Sequence, residues 1–522
     1  MSVHETATEA PAARPAATQP AATTEPATVT QPAAATEPAT AQPAATQPAA
    51  TQPPATTEPA TATQPAAATE PATAQPGLVQ ANGAPHGYAP HGYAPEIVFD
   101  AFDPAHWPNP YPRYAVARAA RPLFPSPLGV YLVTRYQDCA AVLQDDTWSH
   151  AHEAQLFHPG VDTTDLPASF LWMDPPDHTR LRGLVSKAFT PRTVAALRPR
   201  IERLVRELFD GIVEAGETGD AGEADVITAL AYPLPLTVIA ELIGAPAADH
   251  PDLQRWSRAL ARGFDPDPLL TPEEREGRSQ AAREFVAYFR ELVAWRRAEP
   301  ADDLISELAA VEERGDVLTE DEILATCVTL LVAGHETSVN LVANGLLALI
   351  RHPDQYALLR SAPELVAPAV EEMLRYDSPV HLTTRLAHRR TELAGRTFEA
   401  GDGVVLLFGS ANRDPAAFPD PERFDITRYA GQPPARRHLT FSLGIHYCLG
   451  APLARLEMEL VLRELLRRGL TMTLLTDRLA YRRNLVLRGL ASLPVRFEEP
   501  GVPAQRRLAG RGSGERAGLD PS

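Results

Sequence analysis

The residues best equipped for chemistry stand in one short run, Phe441-Ser442-Leu443-Gly444-Ile445-His446-Tyr447-Cys448-Leu449-Gly450. A thiol and an imidazole lie close together there, bracketed by glycines. Pro452, Leu453, Leu456 and Leu460 follow with the spacing of an amphipathic helix, and proline suits a first helical turn because its missing N–H would have no partner there. Cys448 is therefore expected just before a helix N-terminus, where free backbone N–H groups and the positive end of the dipole favour a thiolate. Glycine at 444 and 450 lets the backbone approach a bulky, flat group. A solitary cysteine is more often an apolar filler. Cys139 and Cys327 read that way; Cys448 is set apart by its neighbours.

Three further groups of polar residues stand where polar residues are costly or paired. Pro175-Pro176-Asp177 precedes an apolar-periodic run and reads as a helix start, with His178 and Arg182 on one face of that helix. Two cations on one face are ordinarily a solvated surface, although arginine is suited to bidentate carboxylate contact. Between Leu318 and Ile350 the pattern is apolar nearly all round, which marks a central, buried helix; Thr319 and Glu322 form its capping box, with Leu318 and Ile323 as a hydrophobic staple. That helix carries Gly334, His335, Glu336 and Thr337 in its middle. A mid-helix glycine costs about 1 kcal/mol, and a buried acid costs more unless solvated or paired. The plain explanation is a helix–helix contact through Gly334 with Glu336 facing solvent. The Thr337 hydroxyl is placed to bond the carbonyl of Ala333, four residues back. Glu372 and Arg375 are spaced to pair on one helix face.

Together these runs resemble four motifs of the cytochrome P450 family, in that family's order. Phe441, Gly444, His446, Cys448 and Gly450 match its haem-binding loop, with Ser442 where the family most often has glycine. The resemblance implies that Cys448 is the axial iron ligand of haem b (iron protoporphyrin IX). It also implies that Phe441 packs near the sulfur and that His446, His178, Arg182 and Arg385 hold the propionates. Ala333–Thr337 is similar to the oxygen-activation motif, which implies catalytic roles for Glu336 and Thr337: Thr337 releases its bond to Ala333 to serve the oxygen site, and Glu336 links that site to bulk protons. Glu372 and Arg375 would be joined by the arginine of Pro421-Glu422-Arg423-Phe424 and support the haem loop. The fold implied is mainly α, the cytochrome P450 fold of a helical haem-binding domain with a smaller β-rich region.

The reaction implied is insertion of one oxygen atom from dioxygen into an organic substrate. No dinucleotide glycine fingerprint follows a strand, and three cysteines are too few for an iron–sulfur cluster. Electrons must come from elsewhere, as in the soluble bacterial members fed by a ferredoxin and its ferredoxin reductase. Arg180, Arg436 and Arg437 are the expected docking residues. The run Ala333–Gln355 resembles enzymes that tailor macrolides and other polyketides, and the apolar candidates Val380, Leu382, Leu485 and Val486 suit a bulky lipophilic substrate. A hydrogen-peroxide-driven peroxygenase is the alternative within the enzyme class, and the intact Glu336–Thr337 pair counts against it. A non-catalytic haem- or ligand-binding protein is the alternative outside that class.

The elements that must position these residues occupy only part of the 522-residue chain. Residues 1–95, dominated by Ala, Thr, Pro and Gln, cannot offset the entropy of ordering and read as a disordered tail; 96–498 reads as the P450 domain, and 499–522 as a second disordered tail. Within the domain, helices are expected near 115–120, 138–143, 194–242 with a break at 216–223, from about 275 through Trp295, and after the cysteine loop to about Arg468. Strands are expected at 129–134 and 380–385, and a hairpin at 484–490. The family's mobile roof over the substrate corresponds to the middle of the chain. Residues 148–171, with His150, His152 and His158, fit no standard metal spacing and read as a surface loop. A net charge of −18 argues against nucleic acid as a partner. No apolar run is long enough to span a bilayer, no signal peptide is read, and cysteine usage fits a reducing cytosol, so a cytoplasmic, monomeric protein without a membrane anchor is expected.

Overall fold

The computed structural model describes residues 103–126, 129–151, 168–218, 222–313, 318–432 and 434–498. The expected tails over 1–95 and 499–522, the domain start at 96, and His152 and His158 lie outside the described residues.

In chain order, α1 (Tyr111–Ala120), β1 (Leu123–Pro125), β2 (Tyr131–Val133), α2 (Tyr136–Gln144) and β3 (Trp148–Ser149) lead to α3 (Asp177–Val185). α4 (Pro191–Thr218), β4 (Glu223–Asp225), α5 (Pro233–Ile243), α6 (His250–Arg262), α7 (Pro272–Ala298) and α8 (Leu304–Glu313) follow. Then come α9 (Glu320–Arg351), α10 (Pro353–Ser361), α11 (Val366–Tyr376), β5 (Leu382–Ala387), β6 (Thr391–Leu393), β7 (Arg396–Phe398) and β8 (Gly403–Leu407). After α12 (Phe408–Ala411), the chain reaches the cysteine loop, α13 (Ala451–Arg468), β9 (Thr471–Leu474) and β10 (Pro494–Glu498).

α9 is the axis of the helical part. At 32 residues it is about 48 Å long. Its capping box forms as expected: Thr319 Oγ1 accepts from the Glu322 N–H at 3.2 Å, and Glu322 accepts from the Thr319 N–H at 2.8 Å. Residues from Ile323 to Leu349 are buried almost throughout, because α5, α6, α7, α11 and α13 surround the helix. A helix apolar on every side is stable only with such a jacket.

The main sheet has strand order β1-β2-β8-β5-β3, with β2 and β8 parallel and the other pairs antiparallel. β8 is buried along its whole length. Val404 and Leu406 join one apolar cluster with Val133, Tyr136 and Phe398, while Val405 and Leu407 join another with Tyr111, Tyr114 and Leu132. A strand covered on both faces reads as a continuous apolar run, as Val404–Leu407 does. A smaller sheet, β4-β10-β9, packs by the end of α4, where the Phe209 and Phe497 rings meet edge to face at 6.2 Å. The expected hairpin at 484–490 is not a pair of regular strands: it carries isolated bridges, Val380 to Leu487 and Tyr481 to Leu490.

Candidate active site

The cysteine loop is closed by its own backbone. The Cys448 N–H donates to Phe441 O at 2.8 Å, and the Tyr447 N–H donates to Gly444 O at 3.1 Å. Two residues take left-handed backbone, Ser442 (φ +60°) and Gly444 (φ +68°). Gly444 is required twice over, since a Cβ there would lie 2.3 Å from Leu143 O of α2. Gly450 caps α13, and no atom lies within 4 Å of a Cβ built on it. Burial raises the Cys448 thiol above its ordinary value; the N–H groups of Gly450 and Ala451 and the charges of Arg182 and Arg455 oppose the rise without cancelling it. The loop alone therefore does not favour the thiolate, and a metal cation at the sulfur would. Cys139 and Cys327 are fully buried fillers, as expected.

Phe441 is sandwiched beside this loop. The Arg455 guanidinium lies 4.6 Å from its ring centre. Arg455 also bonds Glu371 at 2.5 Å, and His438 reaches the same carboxylate at 3.2 Å. Burial alone would raise Glu371, but the bonds from His438 and Arg455 bring it down to about 2.

A cluster of imidazoles and guanidinia faces the loop. His178 of α3 packs on His446 with ring centres 4.3 Å apart. Arg182, one turn further along α3, donates to Tyr447 O. Arg385 of β5 is buried, donates to Thr383 Oγ1 at 3.2 Å, and its charge bears on His446. His446 is pushed down to about 2, chiefly by burial and then by His150, Arg385, His178 and Arg182. The structure thus brings His178, Arg182, Arg385, His446 and Cys448 together.

It also adds His150, which the sequence placed in a surface loop. His150 is buried, bonds Leu171 O at 2.5 Å through Nδ1, and packs on His446 at 4.9 Å. What brings it there is the antiparallel pairing of Trp148 and Ser149 with Ala387 and Leu386, beside Arg385. That contact is made across more than 200 residues and has no local sequence signal.

Both ring nitrogens of His178 and Nε2 of His446 are buried without a hydrogen-bond partner. An unsatisfied buried polar group costs about 1–3 kcal/mol. A planar group bearing two carboxylates, with its metal at the Cys448 sulfur, would supply acceptors to these imidazoles and counter-charges to the arginines. The donor set fits iron protoporphyrin IX.

On α9, Thr337 Oγ1 donates to Ala333 O at 2.6 Å, as its spacing predicts. Gly334 does serve a helix contact: a Cβ there would come within 3.3 Å of Ile239 on α5. Glu336, however, does not face solvent. It is 3% exposed and its Oε2 is 2.6 Å from Arg482 Nη1, while Oε1 has no partner. Burial raises its carboxyl, against the pull of Arg482 and Arg258. Arg482 stands 4.9 Å from the centre of the Tyr232 ring, whose other neighbours include Arg258 at 5.4 Å and the His335 ring at 5.4 Å. The cation was not legible locally, because Arg482 lies 146 residues away.

The supporting Glu372–Arg375 pair is fully buried and doubly bonded, at 2.7 and 2.8 Å. Its third member is Arg428, whose Nε is 3.1 Å from Glu372 Oε2. The expected Arg423 supplies only its backbone carbonyl, to Arg375 and Arg428; its side chain is 65% exposed. Arg423 closes a tight turn on Asp420, where φ is +46°, and its side chain leaves the core there.

Among the remaining expected residues, Arg180 pairs with Glu322 at the start of α9, and Arg436 and Arg437 are exposed next to Tyr136 and Tyr447. Leu382 and Leu485 share an apolar cluster with Tyr111 and Tyr114, with Val486 packed against it. Among the described residues, no helix is long and apolar enough to cross a membrane.

Residues 123–469 match the family model for Cytochrome P450. The chain is 41% identical over 408 residues to 6-deoxyerythronolide B hydroxylase of Saccharopolyspora erythraea, covering 74% of this chain and 96% of the relative. It is 40% identical over 407 residues to cytochrome P450 monooxygenase PikC of Streptomyces venezuelae, covering 76% and 93%. Among solved structures it is similar to P450BioI in complex with a hexadec-9Z-enoic acid-ligated acyl carrier protein, with TM-score 0.68, 37% identity and coverage of 76% of this chain and 100% of that one.

Proposed function

The chain belongs to the cytochrome P450 family of monooxygenases, and from that premise we propose that it hydroxylates a lipophilic intermediate of polyketide or macrolide type, with electrons from a ferredoxin and its reductase. The observation that carries the haem site is the set of unpartnered buried ring nitrogens, both of His178 and the Nε2 of the half-buried His446, beside Arg182, Arg385 and the Cys448 loop. Cys448 would hold the iron, with Phe441 packed by the sulfur; His178, Arg182, Arg385 and His446 would hold the propionates. When bound, the haem supplies dioxygen activation.

The chain's own groups do the rest. The Thr337 hydroxyl hydrogen is committed to Ala333 O at 2.6 Å, so it serves another acceptor only by leaving that bond. Glu336 holds a carboxylate at the same level of α9, buried and paired. Its Oε1 has no partner, so a proton carried inward would be taken on that oxygen while Oε2 stays paired with Arg482. The apolar residues Leu382, Leu485 and Val486 would exclude water and bind the hydrocarbon part of the substrate. The names of the relatives, 6-deoxyerythronolide B hydroxylase, polyketide biosynthesis cytochrome P450 PksS and Mycinamicin IV hydroxylase/epoxidase among them, support the substrate class. A ferredoxin would dock on the Cys448 side, at the exposed Arg436 and Arg437 and near Arg180.

The test is the absorption difference spectrum of dithionite-reduced protein with and without carbon monoxide. A red-shifted Soret band of the thiolate type is expected. A band of the histidine or thiol type would overturn the assignment of Cys448. Charge reversal at Arg436 and Arg437 should then slow reduction by ferredoxin while leaving substrate binding unchanged.

A further inference from the structure

Asp265, in the turn after α6, is completely buried and takes no part in the site as described so far. Its Oδ1 accepts from the backbone N–H of Leu485 at 2.8 Å and of Val486 at 3.0 Å. Its Oδ2 accepts from the Leu485 N–H at 2.9 Å and from Arg262 Nη1 at 2.6 Å. Arg262 is itself held by Glu274 at 2.9 Å and by Leu269 O at 2.9 Å, so the carboxylate stands on a braced cation. A second, independent tie lies next to it. Asn484 Nδ2 donates to Ala261 O at 2.9 Å, and Asn484 Oδ1 accepts from the Leu487 N–H at 2.8 Å.

A buried charge is costly unless paired and bonded, and here the whole bonding capacity of the carboxylate is spent on one loop tip and one arginine. That tip touches two elements of the candidate site. The His381 N–H donates to Val486 O at 2.9 Å, and Val380 bridges Leu487. From Val380 to Arg385 is a stretch of extended chain about 17 Å long, and the Arg385 charge bears on His446. On the other side, Gly489 is pressed against α9, where a Cβ would collide with Asn340, and Arg482 reaches Glu336, the neighbour of Thr337. The tip therefore stands between the α9 segment that carries Thr337 and the strand that leads to the haem-facing cluster.

We infer that Asp265 is a positioning residue for the substrate site: it clamps the Leu485–Val486 tip to the α6–α7 turn, and bulky ligands enter and leave only when the hydrogen bonds from those amide N–H groups part. The inference rests on the haem-binding reading for its kinetic test and on nothing but the fold for its exchange test. Holoenzyme is mixed by stopped flow with imidazole, which is small, and with econazole, which is bulky, and binding is followed by the Soret shift. Asp265→Ala is expected to raise the association and dissociation rates of econazole at least about fivefold, the worth of one net hydrogen bond, and to leave those of imidazole unchanged. Asn484→Ala cuts the second tie and gives the same pattern if Asp265→Ala proves unstable. Amide hydrogen exchange at Leu485 and Val486, which needs no bound ligand, is expected to lose about tenfold or more of its protection in Asp265→Ala. Econazole rates equal to wild type, rates that rise alike for both ligands, or unchanged exchange at 485 and 486 would each overturn the clamp.

Discussion

Arg482 and Glu336 form a 2.6 Å ion pair in which the carboxylate is 4% exposed and the guanidinium 18%. The acid comes from the middle of α9 and the base from the C-terminal loop, so the state of one element is felt in the other. Arg482 also donates to Leu490 O at 3.1 Å, which fixes its direction.

Removing this arginine leaves Glu336 buried without its principal cation. Burial already raises the carboxyl, and the opposing pull of Arg482 would be lost, leaving that of Arg258. In Arg482→Gln the carboxyl should rise further and give up its proton less readily. Product formed per electron consumed is expected to fall by about tenfold or more, less than the roughly 10²–10⁴-fold for outright loss of a positioned acid–base group because Glu336 itself remains. Arg482→Lys should recover part of the loss by restoring charge without the fork. Unchanged coupling in Arg482→Gln would remove Glu336 from the proton path. Thr337→Ala is the companion variant: it removes the hydroxyl now bonded to Ala333 O and should uncouple electron use from product.

The Glu372–Arg375–Arg428 group gives a stability prediction with an internal control. Breaking a buried pair by removing one partner costs about 3–5 kcal/mol. Glu372→Leu leaves two guanidinia without their carboxylate and should lower the unfolding free energy by about that amount, with weakened haem retention. Arg428→Gln removes one guanidinium, 9% exposed, and leaves Glu372 bonded to Arg375, so it should cost about 1–3 kcal/mol. Arg423→Gln, at a side chain pointed to solvent, should stay within about 0.5 kcal/mol of wild type. Urea midpoints of the three variants decide the order; a large loss in Arg423→Gln would restore the arrangement expected from the motif alone.

That case shows where sequence reading stops. The local signals were strong and held: the capping box at Thr319, the proline-led starts of α3 and α13, the apolar circumference of α9, and the bond from Thr337 to Ala333 are all set by residues within one or two turns of each other. The cysteine loop was legible because its chemistry is packed into ten residues. What failed was partner choice across the fold. Arg428 replaced Arg423 because a tight turn redirects one side chain, His150 joined the cluster through a two-residue strand pairing, and Glu336 found its cation far along the chain. Such contacts are decided by the packing of whole elements, and no window of sequence contains them.

Ser442 shows the same limit at a single residue. Serine is small, so by size alone it is an easy replacement for the glycine that the family most often has there. The backbone there has φ +60°, so the relevant property is conformation. A left-handed residue with a Cβ costs about 1–2 kcal/mol, and glycine's extra freedom in the unfolded chain returns about 0.5–1 kcal/mol of that. Ser442→Gly should therefore stabilise the protein by about 0.5–1 kcal/mol, seen as a raised denaturant midpoint with the slope unchanged. The Ser442 hydroxyl makes only a 3.5 Å contact to Leu443 O, too long to reverse the sign. A lower midpoint would show that the hydroxyl is held by something other than this contact.

Asp265 yields a pH prediction whose sign is the reverse of the usual carboxylate. Burial lifts its carboxyl from 3.8 to about 6, against the N–H groups of Val486 and Leu485 and the Arg262 charge. Arg262 is the charged group facing it from α6, and Glu274 of α7, on the far side of Arg262, is held below its ordinary range by that arginine and by the Thr271 N–H, despite burial, so it does not titrate in the same window. The clamped state therefore binds a proton more tightly than an opened state in which Asp265 meets water. Opening is most favourable above pH 6 and is suppressed as pH falls from 6 toward 4, where the solvated carboxyl begins to take up its own proton. Between pH 7.5 and 5.0 the open population should drop by roughly tenfold. Protection factors at Leu485 and Val486, corrected for intrinsic exchange, should rise by that factor in the wild type and stay flat in Asp265→Asn, which cannot titrate. Protection that falls with pH in the wild type would mean that the proton breaks the clamp and that the ionised carboxylate is what the tip requires.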